Sequence, residues 1–445
     1  MLIHKIMNAG SEYIIIYLLL WGLTLYLIYI KHNRKFDAAI FLILLNVIYA
    51  TCSLFSYNDE ILNYLFGARP LTLFPFIYLF FSEMLVMSPV LRFNASRYDS
   101  ISKPNNQILK IFSVVFIFSI FIRLFYVLPN LKDGFFLLLT AEEGGAELYT
   151  QAHELEYESH GIIDNLSSVI VNICGDFGIF VFLYFLSSGT KNKYLLYGYI
   201  FSIVFLLLYP LTKGLRTGFV MNLLTFSVGF VAMRQFMSKK ILKRFKVIGL
   251  SFLALLLFLF AILTFSRFND NSNTQFGGAY KAGFYYVGSA NINFNMYCLD
   301  ANGIRNGDRT VTIFKKLLGF NTPKDLIDIR YKYSNMLIDD SAFSTYVGDF
   351  VLDFGPIIAF FIFLCFSLFI NNVVSFKGHK IAFHDLLMLY FVMCICAQGG
   401  FHLFGYAGKM NYTIIFFLLM YCIFKWDYEK KKKYERNSIG GISYL

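Results

Sequence analysis

Eleven long apolar runs dominate this 445-residue sequence, and each approaches the roughly 20 residues a helix needs to cross a bilayer core. They lie at 13–30, 37–57, 70–90, 109–129, 162–186, 194–212, 215–235, 247–265, 343–370, 381–397 and 411–425. The runs are too long and too continuous for barrel strands, which alternate over roughly ten residues. No soluble core of this size could hide 53 Phe and 31 Tyr. Only 15% of the residues are charged, against roughly 25% in a soluble domain, and the mean hydropathy is +0.59. The expected fold is therefore all-α, a polytopic membrane helix bundle of about eleven transmembrane helices. A soluble enzyme, a disordered chain and a disulfide-stapled secreted domain are excluded.

The net charge of +11 does not point to nucleic acid, because the cations sit in short runs beside apolar stretches. Clusters follow the first run (Lys31, Arg34, Lys35), the third (Arg92, Arg97, Lys103), the fifth (Lys191, Lys193), the seventh (Lys239, Lys240, Lys243, Arg244), the ninth (Lys377, Lys380) and the eleventh (Lys430 to Lys433). All follow odd-numbered runs, so the positive-inside rule puts the N-terminus outside and the C-terminus inside. No cleavable signal peptide is expected, since the first run ends on basic residues rather than a small-residue cleavage site. Six of the seven Cys lie inside apolar runs, which argues against a disulfide framework.

Six segments follow: N-terminal helices over 1–129, an acidic extracytoplasmic loop over 130–161, central helices over 162–265, a large extracytoplasmic loop over 266–342, C-terminal helices over 343–425 and a basic cytoplasmic tail over 426–445. A loop of more than 70 residues is rarely a passive connector. Its cations include Arg305 and Arg309, and Asp339 and Asp340 at its end read as solvated loop acids.

An ionisable residue at membrane depth is a functional candidate because exposing it to lipid costs several kcal/mol. Four cations converge on the outer side: Lys213 and Arg216 at a turn, Arg267 at the end of the eighth run, and Arg123 near the outer end of the fourth. Arg216 begins a helix, where free N–H groups and the dipole favour an anion. Gly214 and Gly218 would let a ligand approach the backbone. Guanidinium forks in such a place suit a phosphate or diphosphate; the plain alternative is that they snorkel to lipid headgroups.

Asp349 and Asp353 are four apart and share a helix face at the start of the ninth span. Asp176 and Glu83 lie inside spans, where each acid either pairs or does proton work. His402 is an outer-side candidate acid or base. No metal-ligand spacing, phosphate loop or dinucleotide fingerprint is present, so no metal, cofactor or ATP-driven step is expected.

Three features together resemble the bacterial O-antigen polymerase (Wzy-type) family, which polymerises oligosaccharide repeat units: Leu215-Arg-Thr-Gly218 opening a span, Arg267 at the start of the large loop, and Tyr346-Val-Gly-Asp-Phe-Val-Leu-Asp-Phe-Gly355 opening the span after it. The resemblance implies a metal-independent glycosyltransferase in the bacterial inner membrane, its site facing the periplasm. Undecaprenyl-diphosphate-linked oligosaccharides would be its substrates, membrane lipid its surroundings, and a chain-length regulator and a flippase of the same pathway its partners. Arg216 and Arg267 would hold the leaving lipid diphosphate, with Lys213 and Arg123 assisting. Asp353 or Asp349 would serve as catalytic base, and loop aromatics such as Tyr285 and Tyr286 would stack on sugars or simply pack. The related O-antigen ligases, which share the donor, and a flippase of lipid-linked sugars are the rival readings. The absence of a His between Arg267 and Asp353 favours polymerase over ligase, and the absence of a second copy of the Arg216 region disfavours a transporter built of repeats.

Overall fold

A computed structural model describes residues 8–140, 161–190, 192–212, 215–245, 278–340 and 342–440, with isolated positions between 247 and 261. The chain is an all-α bundle. Its helices are α1 (Ser11–Lys31), α2 (Ala38–Asn58), α3 (Glu60–Tyr64), α4 (Leu73–Arg92), α5 (Asn106–Thr140), α6 (Ile162–Ser188), α7 (Lys193–Thr212), α8 (Arg216–Met233), α9 (Ala279–Asn293), α10 (Thr312–Leu317), α11 (Leu326–Lys332), α12 (Thr345–Val373), α13 (Phe383–Gly399) and α14 (Asn411–Gly440). Among the described residues, eight helices are long and apolar enough to cross a membrane. The chain is thus a multi-pass membrane protein. The run at 247–265 lies mostly outside the described residues, as do Lys213, Arg267 and most of the acidic loop.

Lipid-facing surface explains the composition. Leu19, Phe118 and Phe125 are more than half exposed, which water would penalise and hydrocarbon does not. The interior is aromatic: Phe177 contacts Phe112, Phe416 and Phe417 edge-on, the geometry that sets ring edges against ring faces. Helix α13 is buried at all 17 positions and forms the axis of the bundle. Its one amide, Gln398, donates to Thr225 Oγ1 of α8 at 2.7 Å, so the buried polar atoms find a partner. Glu83 of α4 is likewise buried and accepts from the Tyr17 hydroxyl at 3.3 Å.

One end of the bundle carries the basic loops. There Ser100–Ile101 pairs in parallel with Lys380–Ile381, and Arg92 donates to Asn371 at 2.8 Å. The opposite end is closed by residues 278–344, here termed the cap. Helix α9 enters this cap by crossing the last turns of α2. A Cβ on Gly288 would stand 2.5 Å from the backbone of Cys52 and Ser53, so only glycine permits the crossing. Ser53 Oγ donates to the Gly288 carbonyl at 2.8 Å and receives from Asn291 at 3.1 Å.

The expected continuous span at 343–370 is divided. Gly355 has φ 77°, and the following Pro356 brings no N–H to the ladder. Residues 345–354 form a short helix directly after the cap. Residues 356–373 then cover about 27 Å at 1.5 Å per residue, enough to cross most of a bilayer core. The break is held by the Tyr78 hydroxyl, which donates to the Pro356 carbonyl at 2.6 Å.

Candidate functional site at the cap

Arg216 is the first residue of α8, and the N-cap residue Leu215 gives that helix start no side-chain hydrogen bond. Its guanidinium carbon lies 5.3 Å from the centroid of Tyr286, which α9 delivers from the cap. An aromatic run continues from there. Tyr286 is 5.9 Å from Phe343, and Phe343 is 4.2 Å from the His402 ring. On the other flank Tyr285 is 6.1 Å from Tyr286 and stacks on Phe66 at 5.1 Å. Of the sequence-predicted residues, Arg216 and Tyr286 therefore meet, while Tyr285 packs on Phe66. Gly218 has a different duty from the expected one: its missing side chain makes room for Pro210, whose Cβ would lie 3.1 Å from an added Cβ.

His402 is mostly buried in the turn after α13. Its pKa is lowered to about 4, chiefly by burial, with Asp349 pulling it up and Arg309 pushing it down. Its imidazole is consequently neutral near pH 7, with one ring nitrogen able to accept a proton.

Behind His402 lies a buried ion cluster. Arg305 Nε is 2.8 Å from Asp353 Oδ1, Nη2 is 3.2 Å from Asp349 Oδ1, and Nη1 is 2.7 Å from Asp340 Oδ1. Arg309 Nε is 3.1 Å from Asp349 Oδ1, and its Nη1 also binds the Asp340 carboxylate. The second oxygens are occupied as well. Asp353 Oδ2 accepts from the Thr310 N–H at 2.7 Å and its hydroxyl at 2.6 Å. Asp349 Oδ2 accepts from the Phe404 N–H at 2.7 Å. Burial alone would lower the Arg305 pKa, but Asp353, Asp349 and Asp340 outweigh it and hold the guanidinium above its ordinary range. A network of this kind is costly to break, because removing one partner strands the others in a dry interior.

This geometry corrects two expectations. Asp349 and Asp353 share a face, but both are 0% exposed and both are ion-paired with Arg305, so neither has an open path to an acceptor hydroxyl. Asp340 is not a solvated loop acid; its side chain is 6% exposed. The partners Arg305 and Arg309 were readable only as loop cations. Their i, i+4 spacing, matching that of Asp349 and Asp353, is the signal that pairs them.

Arg123 also differs from expectation. Its Nη1 donates to Asp164 at 2.5 Å and its Nη2 to the Tyr209 hydroxyl at 3.0 Å. These bonds fasten α5, α6 and α7 together, a structural duty rather than an anion grip. Asp176 is held by tyrosine rather than arginine, accepting from the Tyr406 hydroxyl at 2.7 Å. Lys213 and Arg267 lie outside the described residues. Among the described residues, no three His, Cys, Asp or Glu side chains gather to hold a metal ion.

No family model matches the sequence, and no curated protein or solved structure matches it. The site's own chemistry is therefore the guide to function.

Proposed function

We propose that this protein is a membrane glycosyltransferase that polymerises lipid-diphosphate-linked oligosaccharides on the extracytoplasmic side of a bacterial inner membrane, with the full complement of eleven spans. The single observation that carries this reading is Arg216, placed at a helix start with its guanidinium 5.3 Å from the Tyr286 ring, from which Phe343 leads on to His402. A cation fixed at a helix N-terminus suits the diphosphate of a polyprenyl carrier. The basic loops gather at the opposite end of the bundle, which supports a cap facing outward.

In this reaction an acceptor sugar hydroxyl attacks the anomeric carbon of the donor glycan. The new glycosidic C–O bond forms as the bond from that carbon to the diphosphate oxygen breaks. The bonding pair leaves with the lipid diphosphate, and the hydroxyl proton passes to His402. Negative charge grows on the departing diphosphate, so a preorganised guanidinium stabilises the transition state more than the ground state. Arg267 and Lys213 belong to this reading as further cations of the same grip. Asp349 and Asp353 contribute indirectly, by fixing Arg305 and Arg309 behind His402.

Purified protein in liposomes, given only lipid-linked repeat units, tests the reading. A ladder of longer glycans without ATP or divalent metal is expected. No ladder from folded protein would overturn it.

A further inference from the structure

The cap end holds a second feature that the reaction above leaves unused. A groove of about 780 Å³ opens between the start of α4 and the stretch of α12 just after its break at Gly355. Its walls include Phe74, Tyr78, Ile357 and Phe361, and three of these four are more than half exposed, as lipid-facing residues are. Its lining holds two charged side chains, the cation Arg69 and the exposed Asp300 opposite it.

Arg69 is held in place by backbone. Its Nη1 donates to the carbonyls of Met296 at 3.2 Å and Asp300 at 3.1 Å. The guanidinium also lies 5.5 Å from the Tyr297 ring centroid. Its Nη2 faces the Asp300 carboxylate at 3.8 Å, and that side chain is 85% exposed. A surface pair of this length is weak, so an arriving diphosphate can replace it. An apolar trough with a fixed cation at its membrane-surface rim has the chemistry of a site for a lipid with an anionic headgroup.

Helix α9 links this rim to Arg216. It continues without a break through Phe294–Cys298, where the turn widens. Tyr286 meets Arg216 and the Met296 carbonyl holds Arg69, ten residues further on. At 1.5 Å per residue the two contacts are about 15 Å apart along one helix. Polymerisation consumes two lipid-diphosphate glycans at once, and one cation grip serves only one of them.

We infer that the Arg69 groove binds the second lipid-linked substrate, its diphosphate on Arg69 and its prenyl chain between α4 and α12; this rests on the polymerase reading of the Arg216 site. The test is the number of undecaprenyl diphosphate molecules retained by the full chain in phosphatidylcholine nanodiscs, counted by native mass spectrometry. Wild type should retain two. Arg69→Gln should retain one, and so should Ile357→Trp, which fills the groove from a position 73% exposed and outside the core. Arg216→Gln should also retain one, and the double variant R69Q/R216Q none. Two molecules on both R69Q and I357W would overturn the groove site. Two molecules on R216Q would overturn the donor reading and leave the groove standing. Phosphatidylglycerol displacing the groove-bound molecule at equal concentration would show an ordinary bilayer lipid there and overturn the assignment to substrate.

Discussion

The guanidinium of Arg216 faces the ring of Tyr286 at 5.3 Å, joining the start of a spanning helix to the cap. A cation held on an aromatic face keeps its charge while losing rotational freedom, a contact worth about 0.5–2 kcal/mol.

Arg216→Ala should therefore reduce chain elongation by about 10²–10³-fold, the range seen when one preorganised transition-state group is removed. Tyr286→Phe keeps the ring and should retain most activity, whereas Tyr286→Leu should lose much of it. Glycan length distributions from cells expressing equal amounts of each variant check this. Wild-type lengths from Arg216→Ala would refute the anion-grip role.

The Arg305 cluster should behave as scaffold. Asp353→Asn removes one carboxylate charge from a buried arginine, and the expected loss is about 3–5 kcal/mol of stability. Thermal unfolding in detergent reads it out. A mutant of wild-type stability with activity abolished would instead favour a chemical role for Asp353.

The pH profile should bear the mark of His402. Its folded-state pKa of about 4 lies below its ordinary 6.5. Its contribution to stability is complete above pH 6.5 and drains away as the pH falls toward 4, reaching at most about 3 kcal/mol. His402→Gln should flatten that part of the stability curve. For the same reason, activity should hold between pH 7 and pH 5, where an ordinary histidine would already have become charged. A midpoint near 6.5 would contradict the buried, neutral imidazole.

Gly288→Ala should cost about 1–3 kcal/mol, because the added methyl meets backbone of α2 rather than a movable side chain. It should also displace Tyr286, two residues earlier on α9, and so lower elongation. Gly283→Ala is the control, since nothing lies within 4 Å of its Cβ position. Equal loss in both variants would exclude the close-crossing explanation.

The helices were legible because a bilayer demands long apolar runs and the sequence supplies them. The approach of Tyr286 to Arg216 was not, since 70 residues separate them and no local pattern encodes it. Asp349 and Asp353 were readable as one helical face, but their partners come from a turn 40 or more residues earlier. The Gly355-Pro356 step carried a break signal that the surrounding apolar residues outweighed in a reading by hydropathy. Arg123 read as one of four cations converging on the outer side, because the sequence does not show that two other helices bring Asp164 and Tyr209 to it.

The bond from the Phe404 N–H to Asp349 bears on biogenesis. Ribosomal synthesis delivers Arg305 and Arg309 first, Asp349 and Asp353 next, and Phe404 last. Asp349 therefore cannot gain this donor until α13 and the turn after it have been made.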